Sequence, residues 1–156
     1  MTKNVYTISE LNIKDFEKCQ NIWDLKANFA TAQKFYNQIK KGNRKTFIYQ
    51  NSSGEFIAEV SLVFKDQIND FTIEGKRVYL SHLTVKPEYR GKGIGTFLCD
   101  YIFNYCKKLN YSEISLAVLL SNYNAIRLYH RLGFTQLLCV SEDEDGKYIG
   151  LLKKLN

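Results

Sequence analysis

At 156 residues the chain is the size of one domain and can bury a core of its own. With 45% hydrophobic and 14% aromatic residues it reads as globular, its apolar runs are far shorter than a membrane span, and its N-terminus has no signal-peptide pattern, so a cytoplasmic protein is expected. The net charge of +6 is spread evenly along the chain without a nucleic-acid motif. No nucleic-acid or membrane partner is expected, and a phosphorylated ligand explains a locally basic surface as well as nucleic acid would.

Taken in chain order, residues 4–9 read as a strand. Residues 9–23 read as a helix, with Ile13, Phe16, Cys19, Ile22 and Trp23 at helical spacing. A second helix is expected over 25–40, carrying Phe29, Phe35, Tyr36 and Ile39 and stopping at Gly42. Trp23, Phe29, Phe35 and Tyr36 are expected mostly in the core. Strands over 46–50 and 55–64 flank a hairpin turn at 51–54, and 66–77 is polar, a loop or strand extension. A strand over 78–85 is broken by the single proline, Pro87. A Gly-rich loop follows, then a helix from about Gly93 to about Leu109 and a strand over 112–119. Asn122 is an N-cap for a short helix that Gly133 stops, with Phe134 starting the next strand. Strands over 134–141 and 147–155 close a last hairpin around the acidic tip 142–146. The four cysteines form no C-x-x-C pair, and Cys99 and Cys106, seven apart, share one helix face. With His82 and His130 the only histidines, reduced thiols in or near the core are expected and no zinc site.

The stretch Arg90-Gly91-Lys92-Gly93-Ile94-Gly95-Thr96 joins an apolar strand to an amphipathic helix. Glycines let backbone approach a ligand closely, and the free N–H groups and dipole of a helix start receive a phosphate or pyrophosphate. A P-loop is excluded, because Lys92 precedes Gly93 and no Gly-Lys-Ser/Thr occurs. A dinucleotide fingerprint is excluded too, because Thr96 stands where its third glycine belongs. The pattern that fits is R-x-x-G-x-G, on Arg90, Gly93 and Gly95. About thirty residues on, Asn122 to Phe134 spells N-x-x-A-x-x-L-Y-x-x-L-G-F, with one helix and one strand between the two motifs. That is a βαβ unit with a right-handed crossover.

These two motifs, in this order and at this separation, resemble the GNAT superfamily of acyl-CoA-dependent N-acyltransferases over about residues 79–134. The resemblance implies a single α/β (α+β) domain over 1–156. Its mixed sheet would have six to seven strands, helices on both faces, and a parallel central pair splayed around the cofactor. It implies acetyl-CoA as co-substrate and a primary amine as acceptor, either a small molecule or a protein amino group. Direct attack in a ternary complex is implied, with no covalent enzyme intermediate. Monomer and homodimer both stay open. Backbone groups of Leu83, Thr84 and Val85 would contact pantetheine and the oxyanion. Amides of Arg90, Gly91, Lys92, Gly93, Ile94, Gly95 and Thr96 would hold the pyrophosphate, and Asn122 and Ala125 would lie on the cofactor. Tyr129 sits where the family's tyrosine approaches the thioester sulfur as general acid. Many relatives carry a Glu or Asp pair before the loop, and here those positions are Ser81 and His82. A neutral His82 titrating near neutrality could take the proton, as could ordered water, Ser81 or Glu59. The missing carboxylates leave a second reading, a non-catalytic acyl-CoA-binding or regulatory module. The N-terminal aromatics could help shape the acceptor pocket.

Overall fold

The computed structural model describes residues 5–66 and 70–156. Its elements are β1 (Thr7–Glu10), a 3₁₀ helix (Ile13–Asn21), α1 (Phe29–Lys40), β2 (Arg44–Gln50), β3 (Phe56–Val63), β4 (Arg77–Val85), a 3₁₀ turn (Pro87–Tyr89), α2 (Ile94–Lys108), β5 (Glu113–Leu119), α3 (Tyr123–Arg131), β6 (Gln136–Asp143) and β7 (Gly146–Lys154). The seven strands form one mixed sheet in the order β1-β2-β3-β4-β5-β7-β6. β4 and β5 are parallel through Arg77↔Glu113, Val78↔Ile114 and Tyr79↔Ser115. The chain divides into two compact units, one of Met1–Leu62 and His82–Asp100, the other of Val63–Ser81 and Tyr101–Asn156.

In the first unit, β3 is buried along its whole length, as for a strand covered on both faces. The hairpin before it turns on Asn51, whose side-chain oxygen accepts from the Ser53 and Glu55 amides at 3.1 and 2.9 Å. Leu11, Cys19, Ile22, Ile48 and Phe56 form a buried cluster, with Phe16, Trp23, Leu25 and Ile39 packed against it.

Three expectations for this region change. The helix over 9–23 is shorter and tighter: residues 9–10 belong to β1 and Ile13–Asn21 is 3₁₀. Its apolar positions, 13, 16, 19 and 22, are three apart, the 3₁₀ repeat, so the tighter winding keeps them on one face. Asn12 caps it by accepting from the Lys14 amide at 3.0 Å. The second helix begins at Phe29 rather than 25, because Asp24 accepts from the Lys26 and Ala27 amides at 3.1 and 3.0 Å and holds a turn there. The aromatic group is core only in part: Trp23, half-buried, packs on the buried cluster and Phe35 is half-buried, but Phe29 is 65% and Tyr36 38% exposed, and α1 buries only Ala32. Asn4, the start of the first expected strand, and residues 67–69 of the polar stretch lie outside the described residues.

In the second unit, Val78, Leu80, Ile102, Phe103, Cys106, Ile114, Leu116, Phe134, Leu151 and Leu152 are buried. Arg77 Nε donates to Glu113 at 2.7 Å, tying the starts of β4 and β5 together. The last hairpin starts at Gln136 rather than Phe134, because the Phe134 amide is taken by the end of α3.

Candidate active site

The loop after β4 lies in the first unit. Leu83, Thr84 and Val85 are half-buried, and the Lys86 amide donates to the Ile57 carbonyl at 2.9 Å. Arg90 Nε donates to the Val85 carbonyl at 3.0 Å, and Lys92 Nζ stands 5.3 Å over the Tyr89 ring. Both side chains are exposed. Gly91 and Gly93 have φ of +75° and +81°, a left-handed backbone that glycine adopts without strain. A Cβ built on either would meet nothing within 4 Å, so the space over the loop is open to a ligand. Ile94 is buried and anchors the start of α2, while Gly95 and Thr96 sit in its first turn. Phe97 N donates to Gly93 O at 3.0 Å as the first intrahelical bond. The amides before it have no helical acceptor, and the first turn carries no acid to oppose an anion.

The end of β4 carries the second feature. His82 has φ +58°, a left-handed residue inside a strand. This interrupts the pleat and costs roughly 1–3 kcal/mol. Its ring lies edge-on to Trp23 at 4.5 Å and to Phe35 at 5.2 Å between centroids. Its Nε2 is buried and meets no hydrogen-bond partner among the described residues. Burial, and then the charge of Arg44, lower the His82 pKa to about 4. The expectation that His82 titrates near neutrality is therefore corrected: it is neutral there because its cation is desolvated and faces a fixed positive charge. Ser81, buried beside it, shares the strand.

Behind this ring lies a buried polar group. Trp23 Nε1 donates to Glu59 Oε1 at 2.7 Å, and Glu59 is 3% exposed. Burial raises the Glu59 carboxyl to about 7, against the opposing pull of the Trp23 hydrogen bond, the Arg44 charge and the Cys19 thiol. Burial, reinforced by Glu59, pushes the Cys19 thiol well up, so it stays protonated. Arg44, 4% exposed, has its guanidinium 3.7 Å over the Phe35 ring and donates through Nε to Gln38 at 2.7 Å. Sequence reading missed Arg44, Trp23 and Phe35 as neighbours of His82. The visible signal was an acid inside the run 56–63, which is apolar apart from Glu59 and Ser61. The exposed aromatics of α1 contribute elsewhere: Phe29 and Tyr36, with Phe16 and Leu25, line an open cleft of about 700 Å³.

In the second unit, Asn122 caps α3, its side-chain oxygen accepting from the Ala125 amide at 3.2 Å. The other end of α3 is a Schellman turn. Gly133, at φ +100°, donates to His130 O at 3.0 Å, and Phe134 N donates to Tyr129 O at 3.0 Å. The Phe134 ring then packs on the half-buried Tyr129 ring at 5.8 Å, so the helix stop itself orients this tyrosine. His130 is exposed.

Among the described residues no helix is long and apolar enough to cross a membrane, and no cluster of His, Cys, Asp and Glu could hold a metal ion. The fold is similar to that of a putative GNAT acetyltransferase of Desulfovibrio desulfuricans, at TM-score 0.78 and 11% identity over 97% of this chain and 100% of that one. It is also similar to the ribosomal-protein-S18-alanine N-acetyltransferase of Escherichia coli, at TM-score 0.73 and 21% identity over 97% and 95%. A mutant spermidine N-acetyltransferase of Vibrio cholerae matches at TM-score 0.73 and 18% identity over 96% and 94%. In sequence, the chain is 31% identical to an uncharacterized N-acetyltransferase of Methanocaldococcus jannaschii over 140 residues, 84% of this chain and 61% of that protein. It is 39% identical to the thialysine N-epsilon-acetyltransferase of Bos taurus over 66 residues, 42% of this chain and 39% of that protein. The chain thus spans less than two thirds of the length of each of these two relatives. The acetyltransferase (GNAT) family model matches residues 6–134, which take in the loop, the His82 strand and the whole of the capped α3, and the chain belongs to that family.

Proposed function

We propose that this chain is a cytoplasmic N-acetyltransferase that moves the acetyl group of acetyl-CoA to a primary amine, a small molecule or a protein amino group, by direct attack with both substrates bound. The observation that carries the reading is the loop Arg90–Thr96: two left-handed glycines with open space over them, leading into a helix whose first-turn amides have no intrahelical acceptor and which carries no acid there. These residues fit a pyrophosphate-bearing carrier. When bound, acetyl-CoA supplies the acetyl group as an activated thioester. Amides of Arg90 to Thr96 hold its phosphates. Backbone groups of Leu83, Thr84 and Val85 receive pantetheine and steady the carbonyl oxygen. Asn122 and Ala125 present the start of α3 to the carrier, and Tyr129 gives its hydroxyl proton to the departing group; these three assignments rest on motif position.

Nucleophilic attack needs a neutral amine. His82 is the favoured proton acceptor, as a neutral ring with a bare buried nitrogen. Ser81, next to it on the strand, is the alternative acceptor, by motif position. The acceptor class is supported by the similar proteins, named for acetylating spermidine, thialysine and an alanine of a ribosomal protein. Free CoA release over a diverse amine panel, above a hydrolysis background, tests the reading. Acetyl-CoA binding without turnover of any amine would instead mark a non-catalytic acyl-CoA-binding module.

A further inference from the structure

The buried carboxyl of Glu59 is not used by the mechanism above. It sits in a strand whose other seven residues are also buried, and burying an ionised acid is costly unless it is paired and hydrogen-bonded. A hydrogen-bond donor to it, Trp23 Nε1 at 2.7 Å, belongs to the same indole that packs edge-on against His82 at 4.5 Å. Glu59 therefore lies one indole away from the ring that receives the acceptor amine in the proposed function, on which this inference rests. The titratable and charged groups around the carboxyl are Cys19 from the 3₁₀ helix, Arg44 from β2 and, across Trp23, His82 from β4. Cys19 stays a thiol and His82 stays neutral at neutral pH, and Arg44 stays a cation. Glu59 is thus the single member of the group whose charge changes there.

We propose that Glu59 sets the charge of the ground on which a cationic acceptor amine lands: its carboxylate form places a negative charge one indole away from His82, and its protonated form withdraws it. An amine arriving as ammonium is held better in the first state. So is a polyamine, which keeps a second positive charge after losing its first proton. The change falls near neutrality, because burial has moved this carboxyl to about 7. The affected quantity is the KM of the amine more than kcat, since the charge acts on arrival and Glu59 does not touch the reacting atoms. Glu59 is a positioning residue that selects for positive charge.

Trp23 is the only tryptophan of the chain, so its fluorescence reads the Glu59 carboxyl directly, in the protein alone and without turnover. The wild-type emission is expected to pass through one transition near neutral pH, which Glu59→Gln removes and His82→Asn keeps. A flat wild-type titration overturns the proposal without any variant. So does a transition that survives Glu59→Gln, or one lost in His82→Asn. Turnover then tests the acceptor side. The KM of a polyamine in Glu59→Gln should exceed the wild-type value about tenfold on the alkaline side of the transition, and approach it on the acid side. Equal KM values on both sides overturn the selection for charge. Absence of any turnover in wild type would sink the proposed function while leaving the fluorescence result to stand or fall separately.

Discussion

Replacing Glu59 by Gln should change the pH dependence of stability, and the sign can be worked out. The carboxyl moves from 4.5 to about 7 on folding. Between those values the folded state binds more protons than the unfolded one, so stability falls as pH rises, and the loss is complete above about pH 7. Two and a half units at about 1.36 kcal/mol each give about 3 kcal/mol. His82 works in the opposite direction. Its pKa drops from 6.5 to about 4, so its contribution to stability grows as pH rises through that window and is full above it. The two slopes partly cancel in wild type, and Glu59→Gln should uncover the His82 slope alone. A Gln at this site keeps an acceptor for Trp23 Nε1 but brings a buried amide whose own donors cost about 1–3 kcal/mol if unmet. The absolute difference between variant and wild type is therefore a weaker test than its change with pH. Urea unfolding followed by circular dichroism near pH 5 and near pH 8 should show Glu59→Gln gaining on wild type by about 2.5 kcal/mol across that interval, because pH 5 already lies above the unfolded value. A difference independent of pH would refute the claim that the folded protein raises this carboxyl.

Gly93→Val puts a β-branched residue at φ +81°, in the open space over the loop. Acetyl-CoA affinity by calorimetry should fall at least tenfold, about 1.4 kcal/mol, and unchanged affinity in a folded variant would remove the basis of the proposed function. Tyr129→Phe keeps the ring that packs on Phe134 and removes only the hydroxyl. kcat should drop about a hundredfold with little change in acetyl-CoA affinity, and a wild-type kcat where chemistry limits the rate would make Tyr129 a packing residue. His82→Asn preserves tolerance for the left-handed backbone while removing the imidazole. It should lower kcat/KM at every pH above about 6 without shifting any ionisation in that range, since His82 is already neutral there. A variant that loses a near-neutral limb would mean that His82 itself titrates.

The second motif was readable because its chemistry is local. Asn122 reaches Ala125, Gly133 reaches His130 and Phe134 reaches Tyr129 within a few residues, so sequence spacing alone fixes the cap, the stop and the tyrosine they hold. The loop was readable for the same reason, in its two left-handed glycines. The N-terminal helices were read less well. Apolar residues three apart satisfy both a loosely read α-helix and a 3₁₀ helix over so short a run, and the turn at Asp24 depends on a side-chain oxygen rather than on a pattern. The aromatics of α1 are expected in the core because aromatic rings are so often buried. Whether such a face is covered depends on what packs there, and here only Ala32 is buried. The surroundings of His82 were the least legible. Trp23 and Glu59 are 36 residues apart, and the fall in the His82 pKa comes from burial and from Arg44 on another strand.

Together these groups separate two properties usually sought in one residue. A general base needs a free lone pair within reach of the substrate and a pKa matched to the working pH. His82 has the bare nitrogen but a pKa of about 4, and Glu59 has a pKa near 7 but is buried behind an indole. The indole cannot carry a proton between them, because its single N–H is already given to Glu59 and it has no acceptor. A pH–rate limb near neutrality would therefore report Glu59 and the charge it sets, while the proton itself leaves the amine toward His82 or water. The limb alone would name the wrong base. Its disappearance in Glu59→Gln, with a lowered but unshifted profile in His82→Asn, is the pair of results that this division of labour requires.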